Sequence, residues 1–497
     1  MAGTKGLLDG TTWMAIAWLM LSDIVGTSVL TLNGVAVQLG WVLTSAFILG
    51  LFPVSLYTAL IMCRTRSMLT QEAEADQSLG SMGDVAAFLF QSQRAGTAVF
   101  VAVYGYTLLG QASYLLVLGT SLQKAFFSVP LCLPTAVAIA CLALLLPTFL
   151  VRKLADSVIL CFVNSLIILG VVVIALVQAG QRQPVCQHTF LLAPGLSFMT
   201  ALGAATNIIY SFSGQWMYFE LMDTMSDPED FVKSFVIAGP FMLTTYLTVA
   251  LLGYGFGAGS GDLVASMEYG VWLQVAAALL FVHVLIVYLI KSVVLARFFH
   301  GLCRPVDVEA RSLKSYLGHG SCGVGILAFG FGVSNAVPFF SQLLGIIGGL
   351  MAGPVSFLLP ISFYLTALGQ QLEKGRHQQL GTGGQQAELV CGGPSESNED
   401  ESQDTFESVD GDDGAGGDGG CSLGAEERHG LCHLALSALS SLPLWEKGVI
   451  TVSIVFVLLT MAFGVAEEIR QVIALWDQLG GPFTCHALPA PSRPACE

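Results

Sequence analysis

Apolar residues run through this chain in blocks much longer than the amphipathic stripes of a soluble protein, and polar residues collect in short intervals between them. A helix that crosses a bilayer needs about 17–25 predominantly apolar residues. Runs of that kind fall at roughly 11–34, 41–62, 97–127, 131–150, 156–179, 196–224, 231–257, 269–299, 321–337, 340–368 and 446–475. The pattern predicts an all-α polytopic membrane protein with eleven transmembrane helices. Longer polar intervals occupy 64–94, 181–195, 301–320 and 369–445.

Two of these runs are interrupted. The first carries Gly26-Thr27-Ser28 in mid-span, and the sixth carries Ser211-Phe212-Ser213-Gly214. Hydrocarbon contains no water to satisfy loose backbone groups, so a broken helix persists only where it is buried in protein or lines a cavity. The breaks lie five spans apart, the spacing expected of two inverted repeats (about 11–179 and 196–368) that each open on a discontinuous helix. Unpaired amides at a half-helix N-terminus hold an anionic group without a neighbouring cation. A carboxylate is therefore expected at Gly26, Thr27 and Ser28, and an ammonium at carbonyls and hydroxyls near Ser211, Phe212 and Ser213, with Gly214 leaving room. Phe212 and Tyr288 are candidates to bound a side-chain pocket, and Tyr114 is a candidate contact from the third span.

Composition sharpens the class. The 497 residues are 54% hydrophobic and 11% charged, with mean hydropathy +0.71, against about 25% charged residues in soluble domains. The net charge of −15 is mostly local: fourteen acidic and three basic residues between Gln371 and Gly430 account for −11. Nothing in the charge pattern suggests nucleic acid. The core of that interval, SESNEDESQDTFESVDGDDGAGGDGG, has the composition of a disordered segment, so 369–445 is expected to be an acidic, disordered cytoplasmic loop. It separates a ten-span core (1–368) from an eleventh helix (446–475) and a short extracytoplasmic tail (476–497). The first apolar run lacks a small-residue cleavage pattern and reads as a retained span.

Basic residues set orientation. Arg64, Arg66, Arg94, Arg152, Lys153, Lys233, Arg297, Arg304, Arg311 and Lys314 fall on one side of the expected spans. The N-terminus is then cytoplasmic and the C-terminus is outside. Of twelve cysteines, Cys63, Cys132, Cys141, Cys161, Cys303 and Cys322 sit in or beside apolar runs, where cysteine behaves as a small hydrophobe. Cys186, Cys485 and Cys496 share the oxidising side, and a disulfide among them is expected.

Ionisable groups inside spans are costly and therefore informative. Asp23, just before the first break, is a candidate to carry a coupling proton or to help hold Na⁺, with Ser292 as a further oxygen for Na⁺. Glu220 and Asp223 follow the second break and are candidates for a gate with Lys233 or Arg152. His283 and Lys291 read as packing or snorkelling residues. No H-E-x-x-H, P-loop, Cys/His metal spacing or nucleophile elbow is present, so neither an enzyme, a metal site nor a cofactor is expected.

The sixth span, Tyr210-Ser211-Phe212-Ser213-Gly214 followed by Glu220-Leu221-Met222-Asp223-Thr224-Met225 and Asp227-Pro228, resembles the signature of the amino acid/auxin permease family, in particular its plant amino-acid permeases. Gln38-Leu39-Gly40-Trp41, Gly253-Tyr254-Gly255-Phe256-Gly257, His283-Val284 with Tyr288, and Val337-Pro338-Phe339-Phe340 are similar to further family motifs. The resemblance covers most of spans one to ten. It implies a leucine-transporter-like 5+5 inverted-repeat fold and cation-driven uptake of amino acids. The first-span signature departs from the family's: Ser28 stands where a second glycine is usual, and Asn33 where a proline is usual. The reading is a secondary active transporter, a proton-coupled symporter of neutral amino acids. A Na⁺-coupled transporter and a non-transporting amino-acid sensor are the alternatives; a sensor binds the amino acid without accumulating it. The expected surroundings are a lipid bilayer, the plasma membrane first, with a vacuolar or endosomal membrane as alternative.

Overall fold

The computed structural model describes residues 12–72, 79–151, 157–181, 188–257, 259, 261–304, 312–388 and 425–485. Of the interval expected to be disordered, 369–445, residues 389–424 lie outside these residues, as do Cys186, Cys496, Arg152, Lys153 and Arg311. In chain order the helices are α1 (Trp13–Ile24), α2 (Leu32–Thr70), α3 (Met82–Leu89), α4 (Gln93–Ala125), α5 (Leu133–Leu150), α6 (Ser157–Gln181), α7 (Phe198–Ser211), α8 (Tyr218–Thr224), α9 (Phe235–Gly255), α10 (Val271–Cys303), α11 (Leu313–Ala336), α12 (Phe340–Ile347), α13 (Leu359–Glu388), α14 (Ala425–Ser441), α15 (Leu444–Leu459) and α16 (Val465–Leu479). No strand occurs among the described residues.

Nine helical segments among the described residues are long and apolar enough to cross a membrane. They are α4, α5, α6, α10 and α11, α2 and α9 with the tight turns before them, and α12–α13 and α15–α16, each pair joined through wide π turns. The protein is a polytopic, all-helical membrane protein. The physical reason is the one that selects helices in any bilayer: each backbone N–H and C=O must be satisfied within its own segment. Of the eleven runs read from the sequence, the first and sixth resolve into half-helices, α1 before a break and α7 with α8. Side chains cap several helices where the chain enters them. Ser197 accepts from the Thr200 N–H at 3.1 Å at the start of α7, and Ser312 from the Ser315 N–H at 3.2 Å at the start of α11.

One glycine shapes the first half of the chain. Gly40 has φ +81°, which only glycine adopts without strain, and it kinks α2. A Cβ at Gly40 would stand 2.7 Å from the Leu191 carbonyl oxygen. The close approach lets the Trp41 and Val42 N–H groups donate to Phe190 and Leu191, at 3.1 and 3.0 Å. These bonds replace the helical ones lost at the kink.

Helix α10 packs against both α4 and α6, α2 runs against α9, and α7 lies against α2, α12 and α16. That arrangement brings the ends of α1 and α7 to the middle of the bundle. Cys132, just before α5, is bonded to Cys485 after α16, with Cα atoms 4.9 Å apart. This corrects two expectations. Cys132 is not a packing residue, and Cys485 is unavailable to Cys186 or Cys496. The α4–α5 turn and the chain after α16 lie at the same end, which sequence spacing alone does not reveal.

Tyr364–Lys447 forms a separate compact unit. Within it α13 passes close to α14, and a Cβ at Gly369 would stand 2.6 Å from the Leu434 carbonyl oxygen. The interval read as a loop after residue 368 therefore begins and ends in helix, because α13 continues to Glu388 and α14 starts at Ala425.

Candidate functional site

The chain leaves helical geometry twice at the heart of the bundle. At the first break α1 stops at Ile24, Val25 closes it by donating to the Leu21 carbonyl at 2.9 Å, and Gly26 is extended (φ −113°, ψ −148°). Thr27–Thr31 then forms a tight turn that runs into α2. Gly26, Thr27 and Ser28 thus open the second half-helix ahead of its first backbone bond, Val29 N–H to the Gly26 carbonyl at 3.3 Å. At the second break α7 stops at Ser211. Ser213 N–H donates to Tyr210 and Gly214 N–H to Phe212, at 3.1 and 3.2 Å, before a turn at Gln215–Met217 leads into α8.

The two breaks touch. A Cβ at Gly214 would stand 2.5 Å from Cδ1 of Ile24, so glycine is what lets the segments meet. Buried tyrosines from neighbouring helices satisfy the carbonyls that the breaks release. The Tyr246 hydroxyl donates to the Ile24 carbonyl at 3.1 Å and also engages the Ser211 carbonyl. Tyr106 donates to the Ser213 carbonyl at 3.3 Å. Phe212 is fully buried, with its ring edge-on to Tyr246 at 5.0 Å between centroids. The Ser211 and Ser213 hydroxyls turn back onto their own helix, to the Asn207 and Ile209 carbonyls at 3.0 and 2.7 Å. Their carbonyls and hydroxyls are therefore engaged within the protein in this conformation.

Beside the breaks lies an ion pair. Asp23 Oδ1 stands 2.7 Å from Lys291 Nζ, each side chain 10% exposed. Asp23 Oδ2 accepts from the Trp216 indole N–H at 3.3 Å, and Lys291 donates to the Tyr114 hydroxyl at 2.9 Å. The Lys291 ammonium also sits 5.3 and 5.4 Å from the centroids of the Tyr114 and Trp216 rings, within cation–π range. Tyr210 is a further neighbour of Tyr114. Lys291 is thus not a snorkelling residue. Its ammonium is held inside the bundle, where Asp23 meets the cost of burying it. Tyr114, the third-span candidate, lies in this ion-pair cluster. Trp216, Tyr246 and Tyr106 were not singled out as site residues by the sequence. Trp216 follows the second break by two residues, but Tyr106 and Tyr246 lie far from both breaks in the chain, so no nearby break marks them.

Other expected site residues separate from this cluster. Tyr288 is buried with its hydroxyl unpartnered, so its side chain bonds to neither break. Ser292 is buried next to Lys291. His283 is buried, with Nδ1 3.2 Å from the Asn164 carbonyl, while the Asn164 amide donates to Ser22 at 3.2 Å. Asn33 holds the Gly259 and Gly261 carbonyls at 3.0 and 3.2 Å, tethering the start of α2 to the segment after α9 rather than facing a solute.

The polar end after α8 also differs from expectation. Asp223 pairs with Arg66, not Lys233: Arg66 Nη2 stands 2.9 Å from Asp223 Oδ1, and Nη1 donates to the Phe219 and Leu79 carbonyls at 3.2 Å. Lys233 returns on the turn Pro228–Ser234 and pairs with Asp230 three residues earlier. Glu220 has Asp84 and Asp223 as its acidic neighbours.

Known proteins resemble this chain in sequence. A model of transmembrane amino acid transporter proteins matches residues 9–380, which holds both breaks, Asp23 and Lys291. The chain belongs to the transmembrane amino acid transporter family. It is similar to an N amino acid transport system protein of Neurospora crassa, 23% identical over 379 residues that cover 71% of this chain and 75% of that protein. A transmembrane transporter of Gibberella moniliformis is 28% identical over 205 residues, covering 36% of this chain and 40% of its own. Another from Fusarium pseudograminearum is 23% identical over 180 residues, covering 34% and 36%. Members of this family are transporters, not enzymes.

Proposed function

We propose that this member of the family is a secondary active transporter that imports neutral amino acids together with protons. In this reading the fold is a 5+5 inverted repeat, with α1 and α7 as the half-helices that open each half, and transport proceeds by alternating access around them. The substrate carboxylate meets the amides of Gly26, Thr27 and Ser28. Its ammonium meets the carbonyls around Phe212 and Gly214, close to the faces of Trp216 and Tyr114. Arg66 and Asp223 close the path below the site.

The Asp23–Lys291 pair carries the reading. A fixed ammonium occupies the space beside Asp23 that a Na⁺ ion bound by Asp23 and Ser292 would need, so a proton is the favoured coupling ion. Protonation of Asp23 cancels its attraction for Lys291, and the freed lysine leaves the aromatic faces to the substrate ammonium. A cytoplasmic N-terminus is supported by Arg64, Arg66, Arg94, Lys233, Arg297, Arg304 and Lys314 at one end of the bundle and by the Cys132–Cys485 bridge at the other, since disulfides persist on the oxidising side. The plasma membrane is the proposed location.

Uptake of labelled amino acids into proteoliposomes under an imposed pH or Na⁺ gradient tests the proposal. Accumulation is expected with the pH gradient alone, lost in Asp23→Asn, and abolished in Gly214→Leu, whose side chain drives into Ile24. Accumulation driven by Na⁺ without a pH gradient would overturn proton coupling, and uptake retained in Gly214→Leu would overturn the site. Binding without accumulation would identify a sensor.

A further inference from the structure

Helix α16 buries two consecutive glutamates that the transport reading does not use. Glu467 and Glu468 are 2% and 1% exposed. Glu467 is fully served. Its carboxylate accepts from Arg470 at 2.6 and 2.8 Å and from Gln471 at 3.2 Å, with the Thr200 hydroxyl at 3.5 Å.

Glu468 turns instead toward α7 and α12. A Cβ at Gly345 of α12 would stand 2.5 Å from its carboxyl carbon. Its Oε1 accepts one bond, from the Asn207 amide of α7 at 3.3 Å. Its Oε2 and the Asn207 Oδ1 are both buried without a partner. The charged and titratable groups around it offer no relief. Tyr210 is the sole titratable residue of α7, α12 and the π turns Gly348–Ala352 and Thr460–Gly464 carry none, and on α16 the nearby cation, Arg470, is taken by Glu467.

An ionised Glu468 would be a buried charge without a counter-ion, one residue from a second carboxylate. It would also leave two acceptors facing a site with no donor. One hydrogen removes all of these costs. A neutral acid donates from Oε2 to the Asn207 amide oxygen, while the Asn207 amide donates to Oε1 as observed. We propose that Glu468, opposite Asn207, is a proton-binding site separate from Asp23, and that its proton holds α16 onto α7. Asn207 lies one helical turn before the second break, and its carbonyl accepts from the Ser211 hydroxyl at 3.0 Å. Loss of the proton places a charge in the α7–α12–α16 contact, loosens it, and so transmits pH to the half-helix that carries the break.

The test uses the full chain in lipid or detergent and does not depend on transport. Infrared spectra at neutral pH should show a carboxylic-acid C=O band that is missing in Glu468→Gln and shifted in Asn207→Ala. If the folded protein holds a proton that the unfolded chain releases, stability must fall as pH rises. Thermal unfolding of the wild type should therefore weaken more steeply with alkaline pH than that of Glu468→Gln, by one proton per molecule. Identical bands or identical slopes would overturn the proposal. Stabilisation by NaCl but not by choline chloride, lost in Glu468→Gln, would overturn it in favour of a metal cation. Failure of Glu468→Gln to fold would overturn it as well, because glutamine reproduces the donor and acceptor of the neutral acid.

Discussion

Asp23 and Glu468 are both carboxylates inside the bundle beside a half-helix that ends at a break, yet their surroundings are opposite. Asp23 has a lysine at 2.7 Å and an indole donor at 3.3 Å. Glu468 has one amide donor at 3.3 Å and an orphan oxygen. A carboxylate in hydrocarbon needs either a counter-ion or a proton, and this protein uses one solution at each site. A paired carboxylate can exchange partners, lysine for proton, during a cycle. An unpaired one binds or loses a proton and changes the packing of whatever it touches.

The largest test of this contrast is Lys291→Met, which strands Asp23 without its cation and is expected to cost about 3–5 kcal/mol. Thermal unfolding of the purified protein measures it, and Asp23→Asn in the same chain should recover most of the loss. If Lys291→Met were harmless, Asp23 would already be neutral and the contrast would vanish. Tyr246→Phe comes next. It leaves the Ile24 and Ser211 carbonyls without their shared donor, at a cost of about 1–3 kcal/mol, together with reduced uptake at unchanged surface delivery. Glu468→Leu should cost a similar or smaller amount, about 1–2 kcal/mol, because it removes a neutral acid and orphans only the Asn207 amide. A cost as large as that of Lys291→Met would mean that Glu468 is ionised and paired. The smallest change is expected for Glu468→Gln, under about 1 kcal/mol near neutral pH, read from the same melting curves.

Much of this was legible before any coordinates. The apolar runs appear because a bilayer demands long uninterrupted hydrophobicity, a local property. Gly26 and Ser211–Gly214 could be singled out because backbone breaks in hydrocarbon are rare and use small residues. Asp23 and Tyr114 were marked by residue type and position, and both lie in the charged cluster. Lys291 was visible as an ionisable residue in mid-span, but its partner was not, since nothing local links α10 to α1. The same limit explains the gate and the disulfide. Asp223 finds Arg66 rather than the nearer Lys233 because the turn after α8 points Lys233 at Asp230. Cys485 finds Cys132 across most of the chain.

The sequence alone determined the solvent of this protein, where its apolar runs fall, the two places where helix gives way, and the family resemblance carried by the sixth span. Each follows from composition or short spacing, so each survives without knowledge of neighbours. Tertiary structure decided which charges meet. Asp23 with Lys291, Glu468 with Asn207, and the tyrosines on the freed carbonyls are contacts between helices far apart in the chain. Their energies depend on distances of a few ångströms in a low-dielectric interior, and no local pattern of residues encodes such distances.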